Sequence, residues 1–408
     1  MSESVAAFLL RHDAGRVAEL LPVRYQRMQA DAFAFFRGSS PLYYARFGHD
    51  PLLLNSPTGW LCGDAHAENF GSYCGDNGLA YFDVNDFDEA LRGPLLWDVG
   101  RLAVSTLLAG HRFGLSPTDR YNVADDMLTA YSAALHNGKA YLLERATAKG
   151  IVHQLLKQVA HRPPRKLLID WAGRRRRWHL KNSPGTLALA PRRHLALRDG
   201  LEAWRTAQAV PLCGAVLDIG QRVMGIGSLG VPRYVVLAEH SNPRKLPILL
   251  DLKLASTPAA RHVAGFAQPV WLSEAHRVVQ VQSWLQAVPP ALQQPIRLDG
   301  LTFVLKALQP ETDRLNFARL PQGVANFRES LPEFARLLAW AHLRAAGHQG
   351  ADVPDALVAF GAARSEWQEP LLAFAQNAVA VVKKDFREFQ AAYKTGALSV
   401  GPLSLALY

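Results

Sequence analysis

The chain has 408 residues, 49% of them hydrophobic and 20% charged, with a formal net charge of +10 at neutral pH. That apolar content fills a large core divided between two lobes, which excludes a disordered or fibrous chain. Cys62, Cys74 and Cys213 are too few for a disulfide framework, no apolar run reaches membrane-spanning length, and MSESVAAFLLRHDAGR lacks a basic leader, so a soluble, cytoplasmic protein without a membrane partner is expected.

Apolar spacing predicts a helix over 4–21, ended by Pro22, and a second over 24–36 that leads into Arg37 and Gly38. Phe33, Phe35 and Phe36 read as core aromatics. Arg37, so near the acidic stretch that follows, is expected to pair with a carboxylate or a phosphate.

Residues 62–101 read CGDAHAENFGSYCGDNGLAYFDVNDFDEALRGPLLWDVGR and crowd carboxylates between short apolar runs. Such charges repel one another unless a cation lies between them. Asp64 precedes Asn69 by five residues, the separation at which a catalytic Asp takes a proton from an attacking hydroxyl and an Asn holds magnesium. A turn over 73–78 and a strand over 79–84 then bring Asp86 and Asp88 to where metal-holding acids are needed, with Glu89 as a helper. An EF-hand beginning at Asp83 is broken by Phe87, Asp88 and Pro94. Cys62, His66 and Cys74 lack a fourth zinc ligand at a familiar spacing. Asp98, on a helix beginning near 96, is expected to buttress the loop.

The strings GDAHAENF and NDFDEALRGPLLWDVGRLA resemble the aminoglycoside and choline kinase type of kinase-like fold, with Cys62 standing where those kinases have His. The chain resembles more closely the bacterial family called domain of unknown function 2252, through its FxFxRG, GDxHxENFG, NDFDE and GxGSxG segments and a late AxAHA-type helix. The first resemblance implies phosphoryl transfer at Asp64, Asn69 and Asp86. The second implies no established reaction.

Helices are expected over 96–109, from the capping box at Ser116 to about 137, and on to about 160. Residues 161–195 carry ten Arg or Lys against Asp170 alone, a net of +9, so nearly all the excess charge is local. A solvated basic flap is the ordinary meaning. An anionic acceptor or nucleic acid are the functional ones, and only Trp171 and Trp178 are interleaved for stacking.

Strands are expected over 216–224, 234–238 and 246–253, with Gly225, Gly227, Ser228 and Gly230 in a tight loop after the first. Pro232 and the run Tyr-Val-Val-Leu-Ala put a strand, not a helix, after the loop, which argues against a dinucleotide fold. Strand, glycine loop, strand and Lys253 resemble a kinase small lobe, although Pro232 sits where kinases prefer Val. Lys253 would pair with nucleotide phosphates. Glu274, in the first turn of a helix over 273–287, either pairs with Lys253 or favours the helix dipole. His276 and Arg277 are expected at the surface or between lobes. A hairpin over 296–308, turning at Asp299 and Gly300, ends in FVLKALQP, a hinge strand whose backbone would meet an adenine.

Residues 334–346 resemble the helix that precedes a kinase catalytic loop, and 354–393 read as helical scaffold. His342 and His348 are read as core or capping residues. The expectation is an α+β, two-lobed, kinase-like fold in circularly permuted order. Residues 1–210 would form part of a helical large lobe, 211–310 a small antiparallel β lobe, and 311–408 the rest of the large lobe. ATP, Mg2+ and an unidentified hydroxyl acceptor, small molecule or protein, are the expected ligands. A catalytically inactive or adenylyl-transferring nucleotide binder, or a nucleic-acid-binding protein, are the alternatives.

Overall fold

The computed structural model describes residues 3–174, 176–263, 265–310, 313–315, 317 and 323–398. Helices α1 (Val5–His12), α2 (Leu21–Met28), α3 (Ala32–Gly38), α4 (Ser40–Phe47) and α5 (Pro51–Leu54) open the chain. The predicted 4–21 helix stops at His12, where Asp13 is the C-cap, and Pro22 lies in the first turn of α2, where its missing N–H costs nothing, so it starts a helix instead of ending one. The predicted 24–36 helix is likewise divided: Asp31 is extended and accepts from the Ala34 N–H, beginning α3 afresh.

Strands β1 (Thr58–Leu61), β2 (Phe70–Cys74), β3 (Ala80–Val84) and β4 (Leu91–Pro94) frame the acidic stretch, β1 pairing with β4 and β2 with β3, both antiparallel. They are followed by α6 (Leu95–Arg112) and α7 (Pro117–His136), a short β5 (Leu143–Glu144) that extends the β2–β3 sheet, and α8 (Gly150–Ala160). Helix α6 is buried almost all round, as a central helix of a large core must be.

The basic segment forms α9 (Pro164–Trp171), a hairpin of β6 (Ala172–Arg174) and β7 (Trp178–Leu180), and β8 (Thr186–Ala188), ahead of α10 (Pro191–Thr206). Next come β9 (Cys213–Arg222), β10 (Arg233–His240), β11 (Ile248–Leu254), α11 (Glu274–Leu285), β12 (Gln294–Leu298) and β13 (Leu301–Ala307). These strands form one antiparallel sheet in the order β12-β13-β11-β10-β9-β8. The sheet thus takes its sixth strand from residues ahead of the predicted boundary at 211, because β8 pairs with the exposed edge of β9. Side-chain alternation splits the sheet: Tyr234, Val236 and Ala238 pack with Leu197 and Leu201 of α10, whereas Val235 and Leu237 pack with Leu168 of α9.

The chain closes with α12 (Gly323–Ala345), α13 (Pro354–Ala362) and α14 (Arg364–Lys394), which join α6 and α7 in the main core. The architecture is α+β with antiparallel sheets, and among the described residues no helix is long and apolar enough to cross a membrane.

Candidate functional site

One face of α6 positions the first half of the site. Asp98, Arg101 and Ser105 recur at helical spacing, so they rise side by side toward the loop between β1 and β2. Asp98 accepts from the N–H groups of Cys62 at 2.8 Å and Gly63 at 3.0 Å, Arg101 Nε donates to Asp64 Oδ1 at 2.7 Å, and Ser105 Oγ accepts from the Ala67 N–H at 2.9 Å. The buttress expected of Asp98 is therefore what its hydrogen bonds make it. His342 Nε2 lies 3.5 Å from the same carboxylate, and its Nδ1 shares a 2.8 Å hydrogen bond with the Tyr131 hydroxyl. Gly63 has φ +78°, and a Cβ there would lie 1.9 Å from the Glu89 carbonyl oxygen, so only glycine lets the two loops touch.

Asn69 ties the halves together. Its side-chain amide donates to the carbonyls of Asp64 at 3.0 Å and Asp86 at 3.3 Å, and its Oδ1 accepts from the Asp86 N–H at 2.9 Å. Lys253 on β11 reaches the far side, with Nζ 3.3 Å from Asp86 Oδ1 and in an ion pair with Asp88. Glu274 is not its partner: that carboxylate is held by Arg277 at 2.6 Å and Arg261 at 3.0 Å, within reach of its own helix. Of the two places expected for Arg277, the surface is excluded: it is buried and donates to the carbonyls of Asp88, Ala90 and Ser256, fixing the acidic loop from the α11 side.

The glycine loop between β9 and β10 faces the acidic loops. Gly225 and Gly230 have φ +79° and +89°, conformations that other residues rarely adopt. Its carbonyls are held by α2 and the bend ahead of it: Arg27 donates to Gly225 O at 2.8 Å, Arg24 to Ile226 O and to Gly227 O at 2.9 Å, and Arg16 to Leu229 O at 2.9 Å. Arg24 also bonds Asp13 and Gly38 O, so the same guanidinium joins the FxFxRG block to the loop. Asp64, Asn69, Asp86 and Asp88 line one cleft with Gly225, Gly227 and Ser228, of about 120 Å³. Gly230 lies at the far end of that loop, beside Arg16. Arg37 lines the cleft too, and pairs with Glu68.

Charges in the cleft are set by burial and by these cations. Burial lifts Asp64 above the usual carboxylate range, with Arg101 pulling the other way. It would lift Asp86 as well, but Lys253, Arg233, Lys306 and Arg314 outweigh it and hold that carboxyl well below the ordinary range. Asp88 is raised by burial and by its neighbour Asp86, and burial brings Glu89 to about 7. His66, buried among Arg37 and Arg101, is pushed well below its usual value and stays neutral.

Beneath the site, Asp83 is buried and raised to about 6, although Arg344 lies 3.0 Å away. A carboxyl whose folded pKa exceeds its unfolded value stabilises the fold while protonated, and that contribution is lost as pH rises through the folded value. Stability should therefore fall between about pH 4 and pH 6, by at most about 3 kcal/mol from this group. Urea denaturation across that window should give a flatter profile for Asp83→Asn than for the parent protein; equal slopes would exclude Asp83 as the source.

Arg101, Arg24 and Arg233 were not singled out by sequence reasoning. The one available signal was Arg101, three residues after Asp98 on the same helix face. Behind Lys253, Arg233 binds Asp251 through Nε at 2.8 Å, and Arg222 lies 2.9 Å from the same carboxylate, a buried three-charge cluster. In the hinge expected at FVLKALQP three backbone groups are taken, Ala307 N–H by Ala291 O, Leu308 N–H by Leu249 O, and Gln309 O by Arg222. In the basic segment, Arg174 lies over the Trp178 ring at 5.8 Å and Arg222 over Trp171 at 5.7 Å. Arg175, in the middle of the arginine run, lies outside the described residues.

No match was found among curated proteins or among solved structures. The family model described as an uncharacterized protein conserved in bacteria, DUF2252, matches residues 16–392, and the chain belongs to that family.

Proposed function

We propose that the protein is an ATP- and magnesium-dependent phosphotransferase that acts on a hydroxyl acceptor. The observation that carries this reading is the single cleft in which the acidic loops and the glycine loop face each other, with Lys253 against Asp86. Further support is the element order. Strand, glycine loop, strand, lysine-bearing strand, helix and hairpin is the sequence of a kinase small lobe. Helix α12 follows that lobe and returns to the acidic loops through His342 near Asp98 and Arg344 near Asp83, as expected of a circularly permuted kinase-like fold.

The donors suit magnesium. Two carboxylates and an amide oxygen are hard ligands, and this ion is commonly bound by one or two carboxylates with phosphate oxygens and water completing its shell. Among the described residues no group of three or more His, Cys, Asp and Glu is arranged to hold a metal. When bound, magnesium supplies neutralisation of phosphate charge. Asp86, ionised at neutral pH, and Asp88 would hold it with Asn69. Lys253 and the N–H groups of the glycine loop would hold phosphate oxygens. Asp64, oriented by Arg101, would take the acceptor proton.

Asp86→Asn should remove magnesium-dependent ATP binding, seen as loss of the heat signal in titration calorimetry, while the melting temperature stays within a few degrees of the parent. Unchanged affinity would sink the assignment. Mass spectrometry of products formed from ATP and a metabolite extract separates phosphoryl from adenylyl transfer, and calorimetry without turnover marks an inactive nucleotide binder. The nucleic-acid reading is less well supported, since both tryptophans proposed for stacking already carry an arginine on the ring.

A further inference from the structure

Two roles fall on one pair of carboxylates. Asp86 and Asp88 would hold magnesium, yet Lys253 already neutralises both: its Nζ lies 3.3 Å from one Asp86 oxygen and 3.4 Å from the other, and it forms an ion pair with Asp88. The lysine side chain is 10% exposed, while those of the two acids are 40% and 28% exposed. Both acids line the cleft and also a smaller cavity of about 20 Å³, and of these two spaces Lys253 lines the smaller. A ligand entering the cleft thus meets carboxylates whose charge a lysine has already taken up.

The surroundings give a free cation no better hold. Around the smaller cavity stand four cations, Arg233, Lys253, Lys306 and Arg314, against three acids, Asp86, Asp88 and Asp251. Lys306 counts among them, since at about 8 its amine is still mostly protonated at neutral pH. Arg222 brings one more positive charge to Asp251. The remaining acids of the cleft are engaged as well: Arg101 holds Asp64, Arg37 holds Glu68, and Glu89, at about 7, is partly protonated near neutral pH. Magnesium gives up its water reluctantly, and in a region already neutralised little attraction offsets that loss. Magnesium chelated by a polyphosphate is a different ligand. The complex is an anion overall, so the same cations attract it, and its phosphate oxygens offer Lys253 a new partner.

We infer that the cleft takes as its ligand the magnesium–polyphosphate complex of the nucleotide and excludes the free ion, and that Lys253 sets this preference by neutralising Asp86 and Asp88 until phosphate oxygens draw it away. The inference rests on the phosphotransferase reading and deepens it. Metal and nucleotide arrive together, and the exchange of Lys253 from carboxylate to phosphate frees the two acids for the metal.

Mn2+ takes the same oxygen donors, and its free concentration is read from its paramagnetic resonance signal, so it serves as the probe, alone and with equimolar tripolyphosphate. The parent protein should leave Mn2+ unbound up to about 1 mM, the weak end of protein sites for divalent cations, and take up the Mn2+–tripolyphosphate complex. In Lys253→Met, close in size but uncharged, the two affinities should cross: on the order of 10-fold gained for free Mn2+ and a similar factor lost for the complex. A poorly folded variant does not gain one ligand while losing the other, and the two titrations of the parent stand without it. A parent that binds free Mn2+ at micromolar concentration, or a folded variant that gains none, overturns the inference, while the phosphotransferase reading stands on the Asp86→Asn result. A parent that takes up neither the tripolyphosphate complex nor Mn2+–ATP overturns both.

Discussion

Asp251→Ala should lower the unfolding free energy by about 3–5 kcal/mol, the cost of leaving buried charge without its counter-ion. Asp251 is 1% exposed and is the acid between Arg222 and Arg233, themselves 3% and 7% exposed. The two guanidiniums hold its carboxyl far below the ordinary range despite burial, so it remains ionised throughout the range in which the protein would be handled. Removing it leaves two desolvated cations about one side chain apart, next to Lys306, whose own amine burial already depresses to about 8. Replacing the acid and both arginines together by apolar residues of similar size should cost much less than the single change, because a buried ion cluster adds little over packed hydrophobic side chains while a broken one is expensive. Urea melts of the single and triple variants measure the difference. A loss below about 1 kcal/mol for Asp251→Ala would show that water reaches the cluster and screens it. The same variant should loosen the hinge, since Arg222 is what holds the Gln309 carbonyl and Gln309 in turn bonds the side chain of Asn85.

What could be read from the chain before its structure divides along the range of the interactions. Caps and turns act over two to four residues, and they were legible: Ser116 caps α7, Ser273 caps α11, and Asp299 with Gly300 turns the β12–β13 hairpin with positive φ at both positions. The acidic and glycine loops were legible for the same reason, because a tight turn advertises itself in glycine and asparagine. Pro22 misled because proline stops a helix from inside and starts one from its first turn, and the apolar period alone does not say which. Arg37, close in sequence to the Glu68 it pairs with, was legible as a carboxylate partner, but the cations that come from far along the chain were not. Arg277 reaches Ala90 across 187 residues and Arg24 reaches Gly227 across 203, and nothing in the local pattern distinguishes an arginine that will be buried from one that will face water. Glu274 had two expected roles: the pair with Lys253 is absent because Arg277 one turn away on the same helix and Arg261 hold its carboxylate, while its place in the first turn of α11 is kept. Strand β8 escaped notice because three residues in a segment full of prolines and arginines carry no alternation to detect.

Asp64→Asn should reduce turnover by about 10²- to 10⁴-fold while ATP affinity stays within a few-fold of the parent. The substitution keeps an oxygen for the Arg101 Nε–H and preserves the loop, whose backbone is fixed independently by Asp98, Ser105 and Asn69. What is lost is a basic carboxylate, one that burial has raised above the usual range and so brought nearer to the strength a general base needs. Glu89 is the competing base. It lines the same cleft, sits at about 7, and accepts from the Ala259 N–H, which leaves one oxygen uncommitted by that bond. Turnover measured as ADP release, with the acceptor found by mass spectrometry, separates the two: loss in Asp64→Asn with Glu89→Gln near the parent rate assigns the proton transfer to Asp64, and the reverse pattern moves it to Glu89. The pH profile discriminates independently. A rate that depends on deprotonating Glu89 should rise toward a plateau above about pH 7, and Glu89→Gln should abolish that limb, whereas a rate governed by Asp64 keeps its acid limb in Glu89→Gln. If Asp64→Asn turns over at the parent rate in the same assay, the carboxylate that Arg101 holds in place serves the loop's structure and not the chemistry.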